Sequence, residues 1–322
     1  MKVIRTAQKD DAEKLEALYK ESVYGKTPSL VRWALQIVPK RVLVAERHEE
    51  IVGAVYTCVC GYNHLWSSYF AFKTLPVAEA LIDRLMRIRE ERGYRNLYVF
   101  CPKDFTEFRV RLIVRGFLPE CLRKLDGIDY VVESYDGSFK PNYKLTPSPK
   151  RKLPMKIRKG REEDIKPLAK ILRGCLPEDF EKFQDAERCV RRWLKEPEYV
   201  LVAECKGSPI GILLLSSEIL PVTDEKTGWL CYIAVEEKYR RRGVGTALVE
   251  EACETLRKER KSSMDVDVDA HDPKARIFYT KNGFYPFWFS KDYMPDNDGI
   301  FHRKDFTGKH INSKAANCKS QS

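Results

Sequence analysis

The chain repeats itself, and this repeat is the strongest constraint on its fold. Four short stretches recur in the same order in both halves, and in one of them the letters VLVAE are identical. One such match can arise by chance, but four in the same order indicate a duplicated domain. The matched pairs are residues 3–15 and 156–168, 42–56 and 200–214, 66–72 and 229–235, and 115–119 and 282–286.

Both halves have the same predicted order of elements. Each begins with a strand, a helix and a hairpin of two strands, and Gly53 and Gly211 fall in register within the hairpins. A strand, a helix, a strand, a helix and one or two last strands follow. In the second half we expect strands at 200–204, 210–215, 231–235 and 264–270, and helices at 246–258 and 273–281.

The length of 322 residues allows two ordinary domains. The stretch 135–154 between the copies is rich in Pro, Gly, Ser and Lys, which is typical of a linker. We therefore expect a first domain at 1–137, a linker at 138–154 and a second domain at 155–306. Residues 307–322 are polar and lack periodicity, so we expect a disordered tail.

Composition narrows the class of protein. Hydrophobic residues make up 43% of the chain, which predicts folded cores. No apolar run approaches the roughly 18 residues that span a bilayer, and the N-terminus lacks the apolar segment of a signal peptide. The 10 cysteines are scattered without a C-x-x-C pair, so we expect reduced thiols in a cytoplasmic protein and no metal site.

The net charge of +11 fits an anionic cofactor or partner. The stretch RRRGVGTALVEE at 240–251 places three arginines before two glycines and a predicted helix. Glycines let the backbone approach a ligand, and helix N–H groups bind phosphate, so this stretch predicts a phosphate site. It is neither a Walker loop nor the dinucleotide fingerprint. The alternative is a basic turn before a surface helix.

Acidic and apolar residues alternate along 264–270. The alternation puts four polar side chains on one face of a strand: Asp265, Asp267, Asp269 and His271. A central strand does not normally bury three carboxylates, so we expect that face to be wet, paired with cations or attractive to a cationic substrate. The next helix should begin at Pro273 with Asp272 as its N-cap.

The second copy resembles the GNAT superfamily of acyl-CoA-dependent N-acetyltransferases. Arg240-x-x-Gly243-x-Gly245, after the strand CYIAV, matches the pyrophosphate loop of that family. DPKARIFYTKNGF at 272–284 matches its closing helix, with Asp272 where Asn is usual. The resemblance covers 155 to about 306. It implies an α/β (α+β) fold of two tandem domains, each a mixed central sheet flanked by helices, with splayed parallel strands that hold the cofactor.

The resemblance implies acetyl-CoA as acyl donor and direct attack by an amine in a ternary complex. The backbone of 233–235 would pair with the pantetheine arm like an added strand. The implied cofactor-binding residues are Ile233, Ala234, Val235, Arg240, Arg241, Arg242, Gly243, Val244, Gly245, Thr246, Asp272, Ala275 and Phe278.

Two catalytic residues are implied as well. A phenol with a pKa near 10 can donate a hydrogen bond or a proton to a thiolate, and Tyr279 matches the position of that phenol. The alternative is a core tyrosine. An alkylammonium with a pKa near 10.4 must lose a proton before it attacks. In some family members a carboxylate at the position of Asp267 helps, often through water. A solvated strand face is the alternative, and a metal site the third option.

The first copy lacks these features. Residues 73–79, KTLPVAE, replace the glycine loop, Leu112 stands where Tyr279 stands, and Phe108 replaces a small residue. We therefore expect a degenerate copy that binds no coenzyme and that shapes the acceptor site or holds the active half rigid. The architecture resembles tandem-GNAT proteins with one active half.

We thus predict an N-acetyltransferase for an amine of a small molecule or protein, with no membrane partner and with a homodimer possible. A non-catalytic acyl-CoA-binding sensor or scaffold is the first alternative. A basic nucleic-acid-binding protein is the second, although no pattern of the common nucleic-acid-binding modules occurs. The loops at 174–185 and 290–299 follow no known pattern and leave the acceptor open.

Overall fold

The computed structural model describes residues 3–60, 63–141, 143, 145, 153–177, 180, 186–195, 199–216, 227–294 and 297–306. The tail expected at 307–322 lies outside the described residues. So do parts of the expected linker and of the two loops at 174–185 and 290–299.

The first copy forms four helices and seven strands in its described part. They are β1 (Val3–Thr6), α1 (Ala12–Lys20), α2 (Ser29–Ile37), β2 (Val42–Arg47), β3 (Glu50–Cys60), β4 (His64–Phe72), α3 (Leu75–Arg92), β5 (Leu97–Pro102), α4 (Thr106–Val114), β6 (Leu118–Leu125) and β7 (Ile128–Tyr135).

The second copy repeats this order wherever the structure describes it. Its elements are β8 (Lys156–Lys159), α5 (Ile165–Cys175), α6 (Ala186–Trp193), β9 (Tyr199–Cys205), β10 (Ser208–Ser216), β11 (Thr227–Val235), α7 (Val244–Lys258), β12 (Ser263–Asp269), α8 (Pro273–Lys281), β13 (Tyr285–Met294) and β14 (Asn297–Asp305). The predicted helix at 273–281 has the bounds of α8, whereas the helix predicted at 246–258 starts two residues late. The predicted strands start one to four residues late, and the strand predicted at 264–270 also ends one residue late.

The two sheets have one topology. The first has the strand order β1-β2-β3-β4-β5-β7-β6, and the second has β8-β9-β10-β11-β12-β14-β13. The pairs β4–β5 and β11–β12 are parallel, and the other pairings that the structure describes are antiparallel. Two mixed seven-stranded sheets with helices confirm the predicted fold class of two tandem α/β domains.

The duplication extends to a network of ion pairs. Nε of Arg158 donates to the Glu204 carboxylate at 2.5 Å, and its two Nη atoms donate to the Asp164 carboxylate at 2.6 and 2.9 Å. The Arg161 N–H donates to the same carboxylate at 2.8 Å. Together these bonds join β8, β9 and the turn that leads into α5. The first copy contains the same network, with Arg5, Glu46, Asp11 and Gln8 in the corresponding places.

Helices cover both faces of the first sheet. Leu81, Leu85 and Leu112 of α3 and α4 pack with strand residues in one buried cluster. Leu15 of α1 and Val31 of α2 belong to a different buried cluster. Buried strands between two helical layers read as nearly continuous apolar runs, which is why VLVAE occurs in both copies.

The chain divides into two compact units. One contains Met1–Lys144 and Val268–Ile300, and the other contains Leu145–Asp267 and Phe301–Gly308. The stretch 268–300 thus belongs to the second copy by sequence and to the first unit by packing. The domain boundaries from the sequence stay predictions.

The helices that the structure describes include none with the length and apolar character needed to cross a membrane.

The ion-pair network predicts an acid-sensitive contribution to stability. Burial raises the pKa of Asp164, but its hydrogen bonds with Arg158 and Arg161 outweigh that effect and the pKa falls below its usual value. A lowered carboxylate pKa stabilises the fold above about pH 4 and is lost as the pH falls further. Asp164→Asn should therefore lower the free energy of unfolding by about 3–5 kcal/mol at pH 7.

Urea denaturation between pH 7 and pH 3 measures this difference. It should shrink below about pH 4, because Asp164 there takes up a proton in the unfolded state before it does so in the native protein. Glu163→Gln is the control, because the Glu163 side chain is 69% exposed and its pair with Arg161 contributes little. A difference between wild type and Asp164→Asn that stays constant with pH would contradict the assignment.

Candidate active site

The parallel strands β11 and β12 diverge soon after they begin. They pair from Thr227 opposite Ser263 to Trp229 opposite Asp265. β11 then continues to Val235 and β12 to Asp269, and within these two described strands no further register position joins them. The strands β4 and β5 of the first copy also pair only over their first residues, from Leu65 to Ser67 of β4.

A β-bulge lies where this pairing ends. The register between β10 and β11 shifts so that Leu214 is opposite Tyr232 and Leu215 is opposite Leu230, which leaves Cys231 as the extra residue. A bulge bends its strand and increases the local twist. The bend accounts for the divergence of β11 from β12.

One hydrogen bond defines the orientation of the backbone at the end of β11. The Glu236 N–H donates to the carbonyl of Ile210 at 3.0 Å, on the side of β10. Backbone groups of successive residues point to alternate edges of a strand, so those of Ala234 face β10 too. The backbone groups of Ile233 and Val235 therefore point to the opposite edge of β11. This is the edge with which β12 pairs only as far as Trp229.

Residues 236–243 connect β11 to α7 and contain two left-handed residues. Arg241 has a φ of 63° and Gly243 a φ of 85°. A Cβ on Gly243 would meet no atom within 4 Å, so its dihedral angle rather than crowding requires glycine. The first backbone hydrogen bond of α7 runs from the Ala247 N–H to the Gly243 carbonyl at 3.0 Å. The helix therefore directs its first N–H groups outward. These belong to Val244, Gly245 and Thr246.

The first arginine of this loop is held against β11 and α5. Nε of Arg240 donates to the Val235 carbonyl at 3.0 Å, and its Nη2 lies 3.2 Å from Sγ of Cys175. The Cys175 thiol donates to the same carbonyl at 3.3 Å. Arg241 and Arg242 are exposed beside the start of α7. Positive charge and outward N–H groups at one helix start favour an anion there.

The acidic side chains of β12 differ in their surroundings. Asp265 is 0% exposed and accepts two hydrogen bonds of 2.8 Å from the guanidinium of Arg303 on β14. Asp267 is half-buried and Asp269 is exposed. The expectation that this face is partly wet and partly paired with a cation is confirmed. Among the described residues, no cluster of His, Cys, Asp and Glu is arranged to hold a metal ion.

His271 is not on the strand, so the expectation that it shares the acidic face is wrong. β12 ends at Asp269, and the His271 N–H donates to the Asp269 carboxylate at 2.8 Å in the turn that follows. The turn comes early because the chain must reach the N-cap of α8. Asp272 caps that helix as predicted, accepting the N–H groups of Lys274 at 2.8 Å and Ala275 at 3.2 Å.

Tyr279 lies on α8 and is 5% exposed. Its ring packs edge-on against Phe278 and Phe284, with centroids 5.1 and 5.3 Å away. Gly283, with a φ of 84°, ends the helix, and the Phe284 N–H then donates to the Tyr279 carbonyl at 3.0 Å. The tyrosine is therefore fixed both through its ring and through its backbone.

The predicted site residues fall into two groups. The residues of β11, of the loop, of the start of α7 and Asp267 lie in the second compact unit. Asp272, which caps α8, and Ala275, Phe278 and Tyr279, which lie on it, belong to the first. Their roles toward cofactor and substrate stay predictions.

Comparison with known proteins identifies the family. The model of a family described as "Acetyltransferase (GNAT) family" matches residues 165–284. A curated N-alpha-acetyltransferase from Sulfurisphaera tokodaii is 31% identical over 156 residues, which are 45% of this chain and 89% of that protein. The chain belongs to the GNAT acetyltransferase family. It is an acyltransferase, as the sequence predicts.

Solved structures are also similar to part of this acetyltransferase. Ard1 from Thermoplasma volcanium is 21% identical, with a TM-score of 0.41, over 48% of this chain and 99% of that one. An aminoglycoside 6'-N-acetyltransferase complexed with coenzyme A is 14% identical, with a TM-score of 0.42, over 48% of this chain and 98% of that one.

The first copy of this acetyltransferase has aromatic side chains where its second copy has smaller ones. Phe108, which replaces Ala275, packs against Phe70 and Phe72 with ring centroids 5.0 and 5.3 Å away. These two phenylalanines hold the positions of Ile233 and Val235 in the matched strands. The connection from β4 to α3 consists of residues 73–74 alone, so the first copy has no counterpart of the glycine loop.

Two contacts and one pair of buried arginines in the acetyltransferase are not predicted by its sequence motifs. One contact is between Cys175 and Arg240, and the other is between Arg303 and Asp265. Both contacts join segments that are distant in sequence, and neither Cys175 nor Arg303 belongs to a motif. Arg109 and Arg276 are both fully buried, and both precede a Gly-Phe pair by the same spacing. An arginine that recurs at the same position of two apolar helices is the sequence pattern that could have indicated this pair.

The surroundings of Asp265 mark it as a structural residue, whereas those of Asp267 leave it as a candidate base. Asp265→Asn should lower the free energy of unfolding by about 3 kcal/mol, because Arg303 loses the charge of a fully buried partner. Asp267→Asn should cost less than half of that, since Asp267 is half-buried. Urea denaturation of the two matched variants measures both values. Equal losses would contradict this division of the acidic face.

Proposed function

We propose that the protein transfers the acetyl group of acetyl-CoA to an amine, within a complex that holds both substrates. The observation that carries this proposal is the open edge at the end of β11, followed directly by the glycine loop and the start of α7. A strand edge suits a peptide-like pantetheine arm, and the helix start suits a diphosphate. The residues present therefore fit coenzyme A.

Ile233 and Val235 are the residues that would hold the pantetheine arm, because the Ile233 backbone groups and the Val235 N–H point to the open edge. The Val235 carbonyl already accepts from Arg240. The N–H groups of Val244, Gly245 and Thr246 would receive the diphosphate, with Arg241 and Arg242 adding charge. Acetyl-CoA supplies the thioester carbonyl that an amine can attack and the thiolate that leaves. A backbone N–H of β11 can polarise such a carbonyl without moving.

Tyr279 is the proposed proton donor to the leaving thiolate. A phenol and a thiol have ordinary pKa values near 10 and 8.5, so a hydrogen bond from the hydroxyl stabilises the thiolate. The ring contacts with Phe278 and Phe284 restrict the position of the ring and therefore of its hydroxyl oxygen. A group that is already held in position loses less freedom when the reaction needs it.

Asp267 is the proposed base for the incoming ammonium group. It is half-buried on β12, beyond the last register position that β12 shares with β11. A carboxylate there can accept a proton, directly or through water, before the amine attacks. Asp265 is unsuited to this role because Arg303 already occupies both of its oxygens.

The proposed acceptor class is the α-amino group of a peptide. The name of the curated relative, N-alpha-acetyltransferase, supports this choice. Release of free thiol should be measured with acetyl-CoA and matched pairs of peptides that have a free or a blocked N-terminus. Turnover with the free N-terminus alone supports the proposal. Turnover of lysine side chains, polyamines or aminosugars instead would assign another acceptor, and coenzyme binding without turnover would favour a sensor.

Gly243→Ala tests the loop. An L-residue in the left-handed region costs about 1–2 kcal/mol, so affinity for acetyl-CoA should fall about 5- to 30-fold in isothermal titration. Gly207→Ala is the matched control, because Gly207 also has a positive φ of 79° and open space around its Cα, but lies in the β9–β10 turn. Equal losses of affinity in both variants would contradict the loop assignment.

Tyr279→Phe tests the proton donor. The change removes only the hydroxyl, so kcat should fall about 100- to 10,000-fold while acetyl-CoA affinity stays nearly constant. Tyr19→Phe is the control, since Tyr19 is also buried but its hydroxyl donates to the Tyr69 carbonyl in the first copy. Full kcat in Tyr279→Phe would show that Tyr279 is a packing residue.

A further inference from the structure

Two arginines are buried at equivalent places in the two copies. Arg109 on α4 and Arg276 on α8 are 2% and 1% exposed. Each precedes the glycine that ends its helix by seven residues, and the glycines Gly116 and Gly283 have φ angles of 91° and 84°. Guanidinium groups are costly to bury, so each one must be held by acceptors. All of these residues lie in the first compact unit.

The two arginines make reciprocal hydrogen bonds. Nη2 of Arg276 donates to the Phe117 carbonyl at 2.8 Å, just after the end of α4. Nη1 of Arg109 donates to the Phe284 carbonyl, just after the end of α8, over a longer 3.4 Å. Each copy therefore supplies a cation to the closing turn of the other.

Glu133 of β7 supplies the only carboxylate that the described contacts place beside both cations. Its Oε1 lies 3.7 Å from Nε of Arg109 and its Oε2 lies 3.8 Å from Nη2 of Arg276, and it is 1% exposed. Burial raises the pKa of Glu133, and the two guanidinium groups act against that rise. Burial also lowers the pKa of Arg276 to about 10, so this group stays charged at neutral pH.

A short path of contacts leads from Arg109 to Tyr279. The carbonyl of Phe284 accepts from Arg109, and the N–H of the same residue donates to the Tyr279 carbonyl at 3.0 Å. The Phe284 ring also packs edge-on against the Tyr279 ring at 5.3 Å. Phe284 is thus the single residue between a first-copy cation and the proposed proton donor.

We propose that Arg109 is a positioning residue for Tyr279. By holding the Phe284 peptide, the degenerate copy fixes the backbone and the ring that orient the tyrosine hydroxyl. This inference rests on the proposed role of that hydroxyl. It assigns to the first copy a task in catalysis that needs no coenzyme site of its own.

A double-mutant cycle in the full chain tests the proposal. Arg109→Met fills the volume with an apolar side chain and leaves Glu133 paired with Arg276. In the wild-type background kcat should fall about 10- to 100-fold, because a small misplacement of a catalytic group has that effect, and KM for acetyl-CoA should stay within about twofold. In the Tyr279→Phe background the same change should have almost no effect, since the hydroxyl that it positions is absent.

Equal falls of kcat in both backgrounds would overturn the proposal, because they would mark a general structural effect. Unchanged kcat in the single variant would overturn it too. Failure of the proposed function is distinguishable, since Tyr279→Phe alone would then keep full kcat. Arg111→Met is the control, because Arg111 is on the same helix but pairs with Glu79 instead. If Arg109→Met does not fold, Arg109→Lys replaces it. Lysine keeps a cation beside Glu133 but is too short to reach the Phe284 carbonyl in the same way, and the same double-mutant cycle then tests the proposal.

Discussion

The divergence of β11 from β12 is the constraint on which the rest of the structure depends. The two parallel strands share register only as far as Trp229 and Asp265, and the bulge at Cys231 turns β11 away. A strand edge inside a sheet normally forms hydrogen bonds with the neighbouring strand, so an edge left open there can accept an extended ligand. The glycine loop follows this edge directly, and so the backbone that suits the pantetheine arm leads straight to the helix start that suits a diphosphate.

Duplication explains why one chain contains this sheet topology twice, although the glycine loop occurs in the second copy alone. Both copies have the same strand order and the same ion-pair network around Arg5 and Arg158. In the first copy, Phe108 packs against Phe70 and Phe72, and a two-residue connection takes the place of the loop. Aromatic packing there stabilises the first copy without a ligand. Its remaining contribution to catalysis is mechanical, through Arg109 and the closing turn at Phe284.

Much of this architecture could be predicted from the sequence, because local patterns encode it. The repeat predicts the two sheets. The N-cap residue Asp272, followed by Pro273, predicts the exact first residue of α8. Contacts between distant segments could not be predicted in the same way. Arg109 meets Phe284 across 175 positions of sequence, and no period or turn signal marks such a pair. Strand alternation predicts a strand position for His271, but the strand ends at Asp269 and His271 lies in the turn that follows.

The central claim is that one copy binds the coenzyme and the other supports it. The stoichiometry of coenzyme A binding to the full chain, measured by isothermal titration calorimetry, tests this claim most directly. The account predicts one site per chain, and it predicts that Gly243→Ala weakens that site. Two sites per chain, or one site that is unaffected by Gly243→Ala but is lost on substitution of Phe108, would contradict it.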